Sequence, residues 1–270
     1  MKRLARTVIP HIILTIFSLA ILLPLLWLVR VSLTDRLTAY KIPPEVGTLG
    51  LMNFYEIFER YSFVAWFLNS LLVALISTAI ALPLATAMAY AFARFNTGGS
   101  ALRLGVLASQ MLPPIVIVLP LFGVFLFAGL LQSHAALVIS HLTIALPFLT
   151  WILVSFFEGD VARLEEAARV DGATRWQAFR FIAVPVAAPG ILAAGLLGFI
   201  LSWNEFLFAL VLSGPVSQTL PVGLASLETH AGVEIAPLAA ATVVSLLPVF
   251  LLLPFLRKHL IKGLSLGALK

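Results

Sequence analysis

The chain has 270 residues, of which 61% are hydrophobic and only 11% charged, and it carries a formal net charge of +5. Soluble domains are about 45–50% apolar and about 25% charged, so a mean hydropathy of +1.08 excludes a soluble globule and calls for membrane-spanning helices of about 20 residues each. Cysteine is absent, which excludes a disulfide framework, a thiol nucleophile, an iron–sulfur centre and a thiolate metal site.

The first apolar run, 8–29, follows Lys2, Arg3 and Arg6 and is closed by Arg30. It is longer than a signal-peptide core and no small-x-small cleavage site follows, so it reads as a retained span. A polar segment, 32–60, separates it from a second span at 63–92; a third is expected at 104–126 and a fourth at 136–157. A charge-dense stretch, 158–189, comes next, then a fifth span at 190–212, a moderately polar loop, 213–237, and a sixth span at 238–256. These six spans leave no room for a separate soluble domain, so residues 1–270 are expected to form a single, all-α, polytopic membrane domain.

Threading six spans alternately through a bilayer leaves only Arg30, Arg36, Lys41 and Arg60 on one side, and the other thirteen of the 17 lysines and arginines on the opposite side. The positive-inside rule then places both termini and the 158–189 stretch in the cytoplasm. The net charge follows from topology and needs no nucleic-acid partner. Two spans carry small residues at every fourth position: Ser77, Ala81, Ala85, Ala89 and Ala93 in the second, and Gly190, Ala194, Gly198 and Ser202 in the fifth. That spacing lets helix backbones approach closely in lipid, either within the chain or across a subunit interface. Prolines 83, 113, 114, 120 and 147 are expected to distort the second, third and fourth helices, since each lacks a backbone donor.

Within the charged stretch, Asp160 reads as the N-cap of a helix over 161–170, with Gly172 just past its end. Thr174 and Gln177 have the T-x-x-Q spacing of a capping box. The second helix should carry Trp176, Phe179, Ile182 and Ala183 before Pro185 stops it, and Pro189 suits the first turn of the fifth span. The result is a helix, a glycine turn and a second helix at the membrane surface.

Glu166-Ala167-Ala168, then Gly172, Ile182 and Val184-Pro185, resemble the EAA motif of ABC importer membrane subunits. Over nearly the whole chain, Asn69-Ser70, the run Ala89-Tyr90-Ala91-Phe92-Ala93-Arg94, Met111-Leu112-Pro113-Pro114, Trp203-Asn204-Glu205-Phe206 and the tail 263–268 are similar to the carbohydrate-uptake branch, the relatives of the maltose permease subunits. Val184 stands where that family usually has leucine. The resemblance implies a type I ABC importer transmembrane fold and a non-catalytic permease subunit. Its partners would be a second, non-identical permease, making a heterodimer, two ATPase subunits and an extracytoplasmic solute-binding protein, in a bacterial or archaeal plasma membrane. It also implies that the 158–189 loop couples to an ATPase through Glu166, Ala167, Ala168, Gly172, Ile182 and Pro185, with Glu166 a polar anchor and Gly172 the turn. The cargo would be a sugar, oligosaccharide or sugar derivative. ATP and Mg would sit on the partner subunits, and no cofactor is expected on this chain, which has no G-x-x-x-x-G-K-[ST] sequence.

For the substrate pathway the candidates are Asn204 and Glu205 with Trp203, and Gln110 in the third span, because polar groups at membrane depth point to function. A structural role for Glu205, paired to a neighbouring helix, is an equal reading, and for Gln110 and His141 a buried hydrogen bond is the plainer one. The alternative class is an ion-coupled secondary transporter of small polar solutes. It would call for repeated interrupted helices with mid-membrane carboxylates or histidines, whereas Glu205 is the only acidic residue well inside a span. The five histidines are scattered and form no H-E-x-x-H, so neither a catalytic site nor a metal site is expected.

Overall fold

The computed structural model describes residues 2–43, 45, 47–229 and 232–255. The last residue of the expected sixth span, the tail motif 263–268 and His230 of the outer loop lie outside the described residues. In chain order the helices are α1 (Lys2–Leu33), α2 (Arg36–Ala39), α3 (Met52–Glu59), α4 (Phe63–Phe95), α5 (Gly99–Ser109), α6 (Pro114–Phe127), α7 (His134–Phe157), α8 (Asp160–Val170), α9 (Arg175–Ala178), α10 (Val184–Trp203), α11 (Leu207–Leu212), α12 (Leu220–Ala225) and α13 (Ile235–Ser245). A two-residue hairpin pairs β1 (Glu228–Thr229) with β2 (Gly232–Val233).

Among the described residues five helices are long and apolar enough to cross a bilayer, and the bent pair α5 and α6 makes a sixth if it is one span. The third span therefore departs from the single helix expected over 104–126. Its halves are bent by 90°, because a residue before proline is driven out of the helical region: Pro113 is extended at φ −57° and ψ 131°, and Pro114 restarts the helix in its first turn. Single prolines act differently. Pro83 and Pro147 lie inside the uninterrupted helices α4 and α7.

Pro185 does not stop the helix that leads into the fifth span. Residues Phe179–Ala183 form a π-helical turn, and the Val184 N–H reaches back five residues to the Phe179 carbonyl. The wider turn carries the chain into α10, with Pro185 in its first turn, where no donor is required. The span then breaks at Asn204–Phe206 and resumes as α11.

The chain resolves into two compact units. In the unit formed by residues up to Val64 with Gly223–Leu247, α13 packs on α1 and α3. Its contact face is small: Ala236, Pro237, Ala239, Ala240 and Ala241 are buried. Asn53 is buried and its amide donates to the Ser32 and Thr34 carbonyls at 2.9 and 2.8 Å, answering acceptors that the end of α1 leaves open. Arg36 bridges Glu56 at 2.5 Å and Glu234 at 2.9 Å, so the polar segment and the start of α13 are tied together. A cleft of 790 Å³ opens beside this ion cluster, between Leu33–Arg36 and Met52–Arg60.

The second unit, from Ala65 to Val222 with the chain from Pro248, holds the main core. Ala81, Ala85 and Ala89 of α4, Leu149 and Leu153 of α7, and Ala187 and Ala194 of α10 form one buried cluster. Both predicted small-residue stripes are buried except Ala93, which is half-buried. The close approach they permit is measurable: a Cβ on Gly190 would fall 2.4 Å from the Phe156 ring, and one on Gly198 3.1 Å from the Leu149 methyls.

Candidate functional site

The charged stretch folds as two short helices around Gly172. The corner into α8 is made one residue earlier than the sequence suggested. Gly159 precedes the helix at φ +76° and Asp160 is its first residue, since the positive φ of that corner is cheap only for glycine. At the other end the EAA spacing acquires a geometric meaning. Gly172 sits at φ +96°, its N–H donates to the Arg169 carbonyl at 3.2 Å, and the Ala173 N–H donates to the Ala168 carbonyl at 3.0 Å. These are the two bonds of a Schellman motif, with Gly172 at the left-handed position. Thr174 then caps α9 in a complete capping box with Gln177.

The pair has a packed face and an open face. Val161, Glu165, Ala178 and Ala183 are buried. Glu166, Ala167 and Gly172 are exposed, Ala168 and Ile182 are half-buried and Pro185 is exposed. Large apolar side chains on the same element are exposed too: Val170 87%, Trp176 63% and Phe181 64%. The six expected coupling residues are thus spread along one element, and only Glu166 among them makes an ion pair, to Arg94 at 2.9 Å.

A second polar locus lies at the break of the fifth span. Glu205 turns its carboxylate back onto the start of α11, accepting the N–H of Phe208 at 2.8 Å and of Ala209 at 3.1 Å. Its side chain is only 7% exposed, and Oε2 lies 3.3 Å from Nε2 of the buried His141. That contact is close enough for charge pairing but is not aligned as a hydrogen bond. His141 Nδ1 meets Ser202 Oγ at 2.6 Å, and Ser202 Oγ meets Ser77 Oγ at 3.0 Å. This chain of side chains links α4, α7 and α10 to the break.

Trp203 is buried, edge-on to Phe67 and stacked on Phe199. Asn204 is exposed and bonds back to the Ile200 carbonyl. Gln110 sits at the break of the third span, exposed, and donates to the Ile144 carbonyl at 3.1 Å. The four pathway candidates thus each meet different partners. Sequence reasoning saw Ser77 and Ser202 only as small residues and missed that they join His141. It also missed the work of Asn69, whose amide holds the 216–218 loop through the Val216 and Gln218 carbonyls while its oxygen meets His134.

Residues 79–266 match the family described as the binding-protein-dependent transport system inner membrane component. The chain belongs to that family. It is a permease subunit of a binding-protein-dependent importer, a multi-pass protein of the plasma membrane. Among its relatives, the sulfoquinovosyl glycerol transport system permease protein SmoH of Agrobacterium fabrum is 36% identical over 92% of this chain and 89% of its own. The trehalose transport system permease protein SugB of Mycobacterium tuberculosis is 36% identical over 92% of both chains. A chain in the crystal structure of a bacterial ABC transporter that imports the acidic polysaccharide alginate shares the fold, with a TM-score of 0.74 at 20% identity over 93% of this chain and 95% of that one. These relatives are permease components of such importers, and among the described residues no cluster of His, Asp and Glu could hold a metal ion.

Proposed function

We propose that this subunit carries a sugar, oligosaccharide or sugar derivative across the membrane, paired with a second, non-identical permease and driven by two ATPase subunits that hold the ATP and Mg. The cargoes for which its relatives are named, sulfoquinovosyl glycerol and trehalose, support the substrate class. An extracytoplasmic binding protein delivers the cargo, as in the alginate transporter solved with its periplasmic protein. The thirteen lysines and arginines that alternate threading gathers on one side support termini and coupling loop on the ATPase side.

One observation carries the coupling role: the element that holds Glu166 exposes Val170 of α8, Trp176 of α9 and Phe181 of the π turn. Apolar side chains of that size, rimmed by charge on a rigid turn, fit a protein groove better than water. Glu166 anchors that contact, Gly172 sets the angle between the helices, and Ala167, Ala168, Ile182 and Pro185 line the surface the ATPase meets. In the membrane, Asn204 and Gln110 offer exposed amides at the two helix breaks to a hydroxyl-rich cargo. Trp203 and Glu205 hold the fifth-span break from behind.

The test is Gly172→Trp. A side chain there has open space around it, so the perturbation is the positive φ, which costs a non-glycine residue about 1–2 kcal/mol, together with bulk on the docking face. The variant should insert normally, while stimulation of ATP hydrolysis by loaded binding protein is abolished. Full stimulation in a correctly inserted variant would overturn the coupling role.

A further inference from the structure

Glu165, the residue before the EAA sequence, has a side chain only 1% exposed. A carboxylate is withdrawn from water at such a position only when its oxygens are paired, and here both partners come from one helix. Oε1 accepts the Tyr90 hydroxyl at 2.9 Å and Oε2 accepts Arg94 Nε at 2.8 Å. Tyr90 and Arg94 are four residues apart near the end of α4, so they project from the same face. The Tyr90 ring is itself fixed, with Phe157 on one side and Phe179 of the π turn at 4.6 Å on another. The free arm of Arg94 spans back over α8, to the Ala162 carbonyl at 3.4 Å and to Glu166 Oε1 at 2.9 Å.

Some 70 residues of sequence separate these two helices, and the backbone routes out of the coupling loop lead to α7 and α10, not to α4. The Tyr90–Arg94–Glu165 cluster ties α8 directly to the second span by charge-assisted hydrogen bonds, which are short and directional. We propose that Tyr90, Arg94 and Glu165 are positioning residues that form a strut, carrying displacement of the coupling helices into the second span. The inference rests on the coupling role assigned above.

The assay uses the complete transporter in proteoliposomes with loaded binding protein, comparing wild type, Glu165→Gln, Arg94→Lys, the exchange Arg94→Glu with Glu165→Arg, and Gly172→Trp. The primary readout is cargo transported per ATP hydrolysed in complexes of verified stoichiometry, which a merely structural role would leave unchanged. With the strut, Glu165→Gln lowers that ratio about tenfold, the scale of one charge-assisted hydrogen bond, and the exchange variant recovers part of it. A second readout uses the absence of native cysteine: spin labels at Thr97→Cys and Leu164→Cys, both exposed, should report one narrow distance with or without ATP, broadened by Glu165→Gln. An unchanged ratio and a narrow distance in Glu165→Gln, alongside a failing Gly172→Trp, would overturn the strut while leaving the coupling role intact. Less assembled complex with a normal ratio per complex would also overturn it. Normal coupling in Gly172→Trp as well would remove the coupling role itself.

Discussion

Replacing Glu205 by Ala removes both acceptors from the Phe208 and Ala209 N–H groups, now bonded at 2.8 and 3.1 Å. α11 is six residues long, so these are two of the four donors that any helix start leaves without an intrahelical partner. Phe208 and Ala209 are fully buried, so water does not readily take the place of the lost acceptors. Each buried donor left unpaired costs about 1–3 kcal/mol, while measured side-chain caps are worth about 1 kcal/mol. The two figures describe the same bonds, so the expected loss is roughly 2–4 kcal/mol. Glu205→Gln keeps one acceptor oxygen and turns an amide donor towards the other N–H, so it should lose part of that amount. Unfolding of the purified subunit in mixed micelles, followed by tryptophan fluorescence as denaturing detergent is titrated in, should give midpoints in the order wild type, Gln, Ala. An Ala variant with the wild-type midpoint would refute the capping role. His141 provides the internal control: its Nε2 faces the same Oε2 at 3.3 Å, so His141→Ala and Glu205→Ala should not be additive. Additivity within about 0.5 kcal/mol would mean that the two side chains share no interaction.

Gly190→Ala should destabilise the second unit by about 1–3 kcal/mol, because its Cβ would lie 2.4 Å from the Phe156 ring, far inside a normal carbon contact. Gly198→Ala meets only the ends of the Leu149 side chain at 3.1 Å and should cost less; equal melting temperatures for the two variants would contradict this packing. Tyr61 donates its hydroxyl to Glu234, and burial first, then that bond, push its phenol from 10.0 to about 12. The folded state therefore favours the neutral phenol, so its contribution is complete below pH about 10 and disappears as pH rises through about 12. An ultraviolet difference titration of wild type against Tyr61→Phe measures it, and a Tyr61 component ionising near 10 would count against the Glu234 contact.

What could be read from the residues alone was local chemistry. The glycine turn, the Thr174–Gln177 box and the burial of the four-residue stripes all follow from positions within one turn of each other, and each is present. The difference among the prolines is legible there too. A lone Pro83 or Pro147 gives up one donor inside a long helix, whereas Pro113 before Pro114 is forced into an extended conformation, and the helix must end. Pairings between helices are another matter. Helical periodicity sets Glu165 and Glu166 on adjoining faces, but nothing in it says which of the two turns towards α4. The motif draws attention to the exposed one, while the buried one holds the element in place. Ser77, His141 and Ser202 similarly look like two packing positions and a stray histidine until three helices bring them within hydrogen-bond distance. Their meeting depends on the π turn, which keeps the helix running through Pro185, and so on where α10 ends and the Glu205 cap begins. Polar side chains in a membrane bundle therefore acquire their roles from helix register, and register is set here by where the prolines let each helix begin and end.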